Sequence, residues 1–256
     1  MHFERAIKAW PYFTDAYLAL GNALVERGDV EKAIELYREA VSINPQFTGA
    51  LHQLGAALTT RGRAHEALPY LQRAIELNPD VPETHYHLGI ALQASGKPNQ
   101  AIAAWQRVLD LDPTTTNTYF LLGTALKQVG RTREAVECLR EVVSRNPSRT
   151  EALQALAWIL ATNSDVDLRD PAEAIVHADR AAELTERRDA IVLDTLAASY
   201  AAAGQFERAV TVAQEAIVLL ANASSDDSVD QIRRRLNLYR QERPYFEGVD
   251  TLNGGN

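Results

Sequence analysis

Four residue ladders with a common step of 34 residues constrain the fold of this chain more than any other feature. The pair Leu-Gly recurs at positions 20–21, 54–55, 88–89 and 122–123. Three more ladders keep the same step, namely Pro11, Pro45, Pro79, Pro113 and Pro147, then Ala33, Ala67, Ala101 and Ala135, then Gly28, Gly62, Gly96 and Gly130. A fixed period of this length indicates an array of small supersecondary units that stack on one another.

Each unit of the array has the pattern of two amphipathic helices joined by a turn. Between residues 15 and 45, apolar side chains recur every three or four residues in two runs, Tyr17, Leu20 and Leu24, then Ala33, Tyr37, Ala40 and Ile43. Gly28 lies between the runs and can adopt the positive φ that ends a helix. Gly21 and Ala33 are small where the two helices are expected to cross. One such hairpin cannot bury both of its faces, so neighbouring hairpins must cover them.

The period and its ladders resemble the tetratricopeptide repeat, whose unit is a helix, a turn and an antiparallel helix. The resemblance spans nearly the whole chain. It implies an all-α fold, a right-handed α-solenoid of antiparallel helix pairs with a C-terminal capping helix. We expect truncation of an interior leucine, Leu88 or Leu122, to Ala to cost about 2–5 kcal/mol of stability.

The register of the ladders predicts the boundaries of the domains. We assign 1–13 to the second helix of a partial repeat, 14–221 to the array, 222–243 to the capping helix and 244–256 to a tail. Within the array the repeats are 14–47, 48–81, 82–115, 116–149, 150–189 with an insertion at 162–171, and 190–221.

The capping helix and the tail carry two further expectations. Ser228 and Gln231 have the spacing of a capping box at the helix start. Five arginines are expected to solvate the outer face of the capping helix, Arg233, Arg234, Arg235, Arg240 and Arg243. We expect the final residues, 251–256, to be disordered.

The N-terminal helix has no first helix to pair with in this sequence. Phe3 and Ala6 are in the register of Tyr37 and Ala40, so the array starts half a unit in. Either the chain is a piece of a longer protein, which we favour, or another subunit covers the exposed side of that helix. The second alternative predicts self-association through the N-terminal half repeat.

An acidic stretch at residues 162–174 raises the question of a cation site. Asn163, Asp165 and Asp167 are spaced as in the opening of a calcium loop. An EF-hand loop also needs Gly at its sixth position and Glu at its twelfth, but these positions are Leu168 and Ala174. We therefore interpret the stretch as a solvated loop in which Asp170 caps the next helix and Pro171 is the first helical residue. Weak cation binding by the 162–171 loop stays open.

Composition and motif content argue against several classes of function. The 34 acidic and 26 basic residues give a net charge of -8, so we expect no nucleic-acid partner. We expect no direct membrane insertion, because no apolar run approaches the length of a membrane span, and we favour a cytoplasmic location for the segment as given. Cys138 is the one cysteine. The sequence contains no motif for catalysis, for a cofactor or for a metal, so we predict a protein that is not an enzyme and has no cofactor.

Binding of a protein or peptide partner is the function that remains. In the family that the chain resembles, side chains of the first helices line a concave groove. The positions that match, with their polar neighbours, are Leu18, Asn22, His52, Glu83, Tyr86, Ile90, Asn117, Phe120, Thr124, Lys127 and Trp158. Exposed aromatic rings in such a groove are common anchors for an extended peptide or a helix. The alternative is that the rings are buried between adjacent first helices.

Residues 156–209 carry a second resemblance, to a stretch common in bacterial tetratricopeptide arrays, including arrays at the C-termini of membrane proteins similar to glycosyltransferases. It implies a bacterial source and no catalytic residue. Two functions follow as expectations. The first is a non-catalytic scaffold that binds a peptide or helix of a partner in the groove. The alternative is the accessory region of a larger bacterial membrane glycosyltransferase-like protein whose catalytic part is absent.

Overall fold

The computed structural model describes residues 2–221 and 226–248. Within these ranges the chain forms helices and no strand, so the predicted all-α class, a helical-repeat solenoid, is confirmed. The part of the predicted capping helix at 222–225 and the predicted tail beyond Gly248 lie outside the described residues. The chain divides into two compact units, Met1–Gly130 and Arg131–Asn256, which we call the N-terminal unit and the C-terminal unit.

The N-terminal unit contains eight helices within the described residues. After α1 (His2–Ala9), the first helices of the repeats are α2 (Thr14–Glu26), α4 (Thr48–Thr60), α6 (Pro82–Ala94) and α8 (Thr116–Gln128). The second helices are α3 (Val30–Ile43), α5 (Ala64–Leu77) and α7 (Pro98–Leu111). Equivalent helices have equal lengths, 13 residues for the first and 14 for the second, and start 34 residues apart. The repeat ladders thus predict the helix starts in this unit.

Close approach at a glycine fixes how each hairpin packs. The eighth residue of α2, α4 and α6 is Gly21, Gly55 or Gly89, and a Cβ there would overlap a large side chain from the eighth position of the second helix. These side chains are Tyr37, Leu71 and Trp105, all fully buried. The small residue therefore makes room for its partner, as the sequence suggested for Gly21.

The turn between paired helices repeats with the glycine ladder. Gly28 has φ of 85°, and the Asp29 backbone N–H donates to the Leu24 carbonyl at 2.9 Å. The same bond follows Gly62 and Gly96, where Arg63 donates to Leu58 and Lys97 to Leu92. This Schellman geometry pairs the last carbonyls of the helix and requires the left-handed conformation that glycine adopts without strain.

The connection between repeats is held by a side chain from the next first helix. The Tyr17 hydroxyl donates to the Pro11 carbonyl at 3.1 Å. Two repeats later, His85 Nε2 lies 2.7 Å from the Pro79 carbonyl. Because a carbonyl only accepts, His85 Nε2 carries the proton. Pro11 and Pro79 are thereby anchored to the first helix that follows each of them.

Helices of the C-terminal unit keep the 34-residue step as far as α10 and depart from it at α11. They are α9 (Thr132–Arg145), α10 (Thr150–Thr162), α11 (Pro171–Leu184), α12 (Ala190–Ala202), α13 (Phe206–Ala221) and α14 (Asp226–Arg240). A single 3-10 turn at Val166–Leu168 occupies the loop after α10. The Asp170 carboxylate accepts from the Glu173 backbone N–H at 2.9 Å, and Pro171 is the first helical residue, so the predicted cap is confirmed.

Three expectations for individual residues need correction. Since α14 begins at Asp226, Ser228 lies inside the helix and does not cap it. Leu122 is buried at 4% exposure, but Leu88 is only half-buried, so its truncation removes less buried apolar surface than expected. Arg235 does not solvate the outer face, because its side chain is 11% exposed and pairs with Asp194.

Candidate functional site

The first-helix face of the N-terminal unit is the surface formed by the fifth and ninth residues of α2, α4, α6 and α8. The fifth residues are Leu18, His52, Tyr86 and Phe120, and the ninth are Asn22, Ala56, Ile90 and Thr124. Most of these side chains are half-buried, and Asn22 and Thr124 are exposed. The sequence analysis considered two alternatives, rings exposed in a groove and rings buried between adjacent first helices. The rings of His52, Tyr86 and Phe120 are half-buried and so lie between the two.

Two hydrogen bonds connect three successive first helices at the middle of this face. His52 Nδ1 on α4 lies 2.9 Å from the hydroxyl of Thr84 on α6. On the other side of α6, the Asn117 amide of α8 donates to the Tyr86 hydroxyl at 2.6 Å. The polar groups of α4, α6 and α8 are therefore held in one arrangement.

His87 occupies the centre of the group. Its ring makes edge contacts with His52, at 5.8 Å between centroids, and with Tyr86, at 5.5 Å. Its Nδ1 atom is buried and has no hydrogen-bond partner within the described residues. A buried polar atom of this kind costs free energy unless water or a ligand satisfies it.

Burial keeps both histidines neutral near neutral pH. The pKa of His87 is lowered to about 4, mainly by desolvation and then by His52, while the Glu83 carboxylate opposes the shift. The pKa of His52 is lowered as well, again mainly by burial and against the effect of Glu83. The centre of the face therefore offers uncharged imidazole nitrogens, with the exposed Glu83 as the nearby negative charge.

The remaining predicted residues of the N-terminal unit lie toward the edges of the face. The Leu18 side chain packs over Gly49, where an added Cβ would lie 3.2 Å from Leu18 Cδ2. Asn22 accepts a hydrogen bond of 2.7 Å from the Tyr37 hydroxyl, which reaches it past Gly21. Thr124 donates to the Leu121 carbonyl of its own helix at 2.8 Å. Ile90, Phe120 and Lys127 are half-buried.

Trp158 belongs to the C-terminal unit, on α10, and the chain itself covers it. The indole N–H donates to the Glu247 carboxylate at 2.5 Å, and the Tyr245 ring lies 6.0 Å from the indole. Glu247 and Tyr245 come from residues 243–248, which follow α14 and which we call the C-terminal segment. The sequence analysis assigned most of this segment to a tail.

The acidic loop after α10 uses its side chains to form local turns. Asn163 accepts from the Asp165 backbone N–H at 2.8 Å, and Asp165 accepts from that of Asp167 at 3.0 Å. Such turns are a common role for Asn and Asp in loops. Over the described ranges, no three His, Cys, Asp or Glu side chains are grouped so that they could hold a metal ion. No helix in the same ranges has the length and apolar character needed to cross a membrane.

Sequence reasoning missed four residues of these sites. It assigned no role to His87, although this residue follows Tyr86 directly and is one helical turn from Glu83. Arg235 was placed on the solvated side of α14, although its register relative to Ile232 left this open. Tyr245 and Glu247 gave no repeat signal, and the bond of Glu247 to Trp158 joins residues 89 apart.

Comparison with known proteins identifies the repeat. A model described as TPR repeat matches residues 21–62, and models described as Tetratricopeptide repeat match residues 58–116, 92–159 and 191–215. Together these matches cover more than half of the chain. Comparison with curated protein sequences found no significant match.

Solved structures with the same fold include two named proteins. The crystal structure of MamA is 26% identical, with a TM-score of 0.60, over 68% of this chain and 93% of that chain. A MamA structure from Desulfovibrio magneticus RS-1 is 22% identical, with a TM-score of 0.60, over 69% of this chain and 97% of that one. YrrB, described as a TPR protein with an unusual peptide-binding site, is 21% identical, with a TM-score of 0.66, over 75% and 96% of the two chains.

Proposed function

Because the chain belongs to the tetratricopeptide repeat family, we propose that it is a non-catalytic scaffold that binds a peptide or helix of a partner protein on the first-helix face of its N-terminal unit. The observation that carries this proposal is the connected polar group of His52, Thr84, Tyr86 and Asn117 across α4, α6 and α8. The description of YrrB as a peptide-binding TPR protein supports the same class of function.

The chemistry of the face suits a polar peptide with an apolar anchor. The half-buried Tyr86 ring supplies aromatic surface, and its amide partner Asn117 fixes the orientation of the hydroxyl. His87 adds a neutral imidazole to this face, because burial lowers its pKa to about 4. A partner side chain with positive charge would pair with the exposed Glu83.

Substitution of the two aromatic residues of the face tests the proposal. The purified chain is used as bait in extract of its host, captured proteins are quantified by mass spectrometry, and the main partner is then titrated as a purified protein. We expect Tyr86→Ala combined with Phe120→Ala to weaken that binding by about tenfold or more, because aromatic anchors carry a large share of interface energy.

A matched variant separates binding from folding. Tyr70 is a half-buried tyrosine on α5, a second helix, and Tyr70→Ala is expected to leave binding unchanged. Helical content and thermal melting are measured for all variants by circular dichroism. Unchanged affinity in the double variant, with its helices intact, would refute the proposal.

We also propose self-association through the N-terminal half repeat. Four aromatic side chains at its edge are exposed, Phe3, Trp10, Tyr12 and Phe13, with Trp10 at 68% and Tyr12 at 83%. Clustered exposed rings of this kind favour association. Sedimentation of the full chain should show a concentration-dependent dimer that Trp10→Glu and Tyr12→Glu abolish. A monomer at all concentrations would contradict this proposal.

The alternative function, an accessory region of a larger membrane glycosyltransferase-like protein, stays a prediction. The matches to tetratricopeptide repeats carry no link to that class of enzyme. The size of the native polypeptide in its host tests it, because a product far heavier than 28.3 kDa is required.

A further inference from the structure

The C-terminal segment lies against α10 of its own unit. The Glu247 backbone N–H donates to the Thr162 carbonyl at 2.7 Å, and the Glu247 carboxylate accepts from the Trp158 indole at 2.5 Å. The Thr162 carbonyl is at the end of α10, where helical carbonyls have no partner within the helix. The segment therefore supplies a main-chain bond that any peptide could make and a side-chain bond that requires an acceptor.

Two aromatic side chains of the segment fill adjacent positions. The Tyr245 ring lies 6.0 Å from the Trp158 ring and also packs against the buried core of the unit. Phe246 lies under the Arg169 guanidinium, 4.1 Å from its ring centroid. Aromatic pairs and cation–π contacts of this geometry are attractive. Tyr245 and Glu247 thus both contact Trp158, and Phe246 between them contacts Arg169.

A buried ion pair forms the floor beside Trp158. Arg235 on α14 makes two hydrogen bonds, of 3.0 and 2.6 Å, to the Asp194 carboxylate on α12. Its guanidinium also lies 5.3 Å from the Trp158 ring and 5.4 Å from the Tyr245 ring. Desolvation raises the pKa of Asp194, and the Arg235 charge opposes that shift. The pair fixes the Arg235 guanidinium where it can face two aromatic rings at once.

The turn that leads into the segment is strained. Glu242 has φ of 56°, and the Arg243 backbone N–H donates to the Leu238 carbonyl at 3.0 Å, so a Schellman turn ends α14 without glycine. A residue other than Gly in this conformation is disfavoured because its Cβ approaches the backbone. The contacts of Tyr245, Phe246 and Glu247 therefore hold a segment whose entry turn is strained. A competing peptide without the turn does not carry that strain.

We propose that α10, the loop after it and α14 form a second binding site, specific for a short peptide with two adjacent aromatic residues followed by an acidic residue. Residues 243–248 occupy this site in cis, and a partner segment of the same chemistry binds by replacing them. This inference rests on the proposed function of the chain as a peptide-binding scaffold, but it concerns a different surface and a defined ligand.

A synthetic peptide tests the site directly. A fluorescein-labelled peptide with the sequence of residues 243–248, RPYFEG, is titrated into the full chain and into the variant Tyr245→Ala, Phe246→Ala, Glu247→Ala. We expect the variant to bind the peptide at least about tenfold more tightly than the wild type, because a tethered segment competes at an effective concentration in the millimolar range. Equal affinity for the two proteins would overturn the proposal.

Two controls make the result specific. The peptide RPAAAG, which lacks the two rings and the carboxylate, should not bind the released variant, and binding equal to that of RPYFEG would overturn the proposed specificity. When Trp158→Leu is added to the triple variant, binding of RPYFEG should be abolished. When Tyr86→Ala, on the other unit, is added instead, binding should not change. The reverse pattern would place the peptide on the N-terminal unit and refute the second site.

Milder variants keep the test valid if the triple variant unfolds. Glu247→Gln retains the backbone bond to Thr162 and removes the negative charge, and Tyr245→Ala removes one ring. Each should tighten binding of the trans peptide by about threefold, and no change in either would count against occupancy in cis. The outcome is independent of the Tyr86 and Phe120 experiment, so failure of one proposal is distinguishable from failure of the other.

Discussion

In the N-terminal unit, the eighth residue of each of the first helices α2, α4 and α6 is glycine and faces a larger side chain, whereas in the C-terminal unit both crossing positions are alanine. Gly89 faces Trp105 in α6 and α7, but Ala157 and Ala178 occupy the same register in α10 and α11. Both alanines are fully buried. Two side-chain combinations therefore allow a hairpin to close, a large residue against glycine or two small residues against each other.

The first-helix faces of the two units differ in how their polar groups are satisfied. In the N-terminal unit, His52 and Tyr86 bond to neighbouring first helices and remain half-buried. In the C-terminal unit, Asp194 is paired with Arg235 of α14, and Trp158 is covered by the C-terminal segment. The comparison shows two uses of the same kind of face. In the N-terminal unit it stays partly exposed, and in the C-terminal unit it binds the chain's own C-terminal segment.

The largest expected effect comes from breaking a buried ion pair of the C-terminal unit, compared with breaking an exposed contact of the N-terminal unit. Asp194→Ala leaves Arg235 buried without its partner, so the free energy of unfolding should fall by about 3–5 kcal/mol. Glu66→Ala in the N-terminal unit breaks an exposed contact with Arg38 and should change little. Urea denaturation followed by circular dichroism measures both. Equal losses would show that burial of the Asp194 pair has no special role.

Matched leucines at the seventh position of a first helix give the next effect. Leu156 of α10 is fully buried, whereas Leu88 of α6 is half-buried. Leu156→Ala should cost about 3 kcal/mol of stability and Leu88→Ala about half of that, because less apolar surface is lost. The comparison of midpoints in urea is decisive, and a larger loss for Leu88→Ala would contradict the burial difference.

Reciprocal substitutions at the helix crossing should both destabilise. Gly89→Ala pushes a methyl group into the buried Trp105 indole and should cost about 2 kcal/mol. At an unpacked helical position the same change would stabilise by nearly 1 kcal/mol, so the sign is the test. Ala157→Gly should cost about 1 kcal/mol through backbone entropy. A stabilised Gly89→Ala variant would show that the crossing is loosely packed.

A smaller effect concerns pH and is confined to the N-terminal unit. The pKa of His87 in the folded chain is about 4, below its ordinary value of 6.5. Between these two pH values the unfolded chain binds a proton at His87 and the folded chain does not. Stability is therefore present above about pH 6.5 and is lost as pH falls toward 4. From pH 7 to pH 5, His87→Gln should lose about 1.5 kcal/mol less than the wild type.

Hydrogen exchange resolves this pH effect by unit. In the wild type, amide protection at acidic pH should fall in α4 and α6 relative to His87→Gln, and protection in α10 and α12 should be the same in both proteins. An effect of the substitution that is equal in both units would contradict the assignment of the pH dependence to His87.

Local signals predicted most of the fold. The ladders specify where α2 to α9 begin, because turn glycines and terminal prolines act within a few residues of their own positions. The late start of α11 and the cap at Asp170 could also be predicted from the sequence. An N-cap and a proline at the first helical position form a local pattern. Element types and register therefore needed no knowledge of distant contacts.

Contacts between distant residues were not predictable in this way. The Asp194–Arg235 pair joins residues 41 apart, and the register of Arg235 beside Ile232 does not identify the residue that it meets. The groove positions followed from register, but the bonds of His52 and Asn117 depend on the exact spacing of adjacent first helices. Periodicity indicates which side of a helix faces its neighbour, and it does not indicate which atoms meet.

The bond between Trp158 and Glu247 has a consequence for the order in which the protein is made. Its two residues are separated by 89 positions, so α10 leaves the ribosome well before the residues that cover it exist. Throughout that interval the indole of a nascent chain stays uncovered. Synthesis of residues 243–248, rather than formation of the last hairpin, is the event that allows this surface to close.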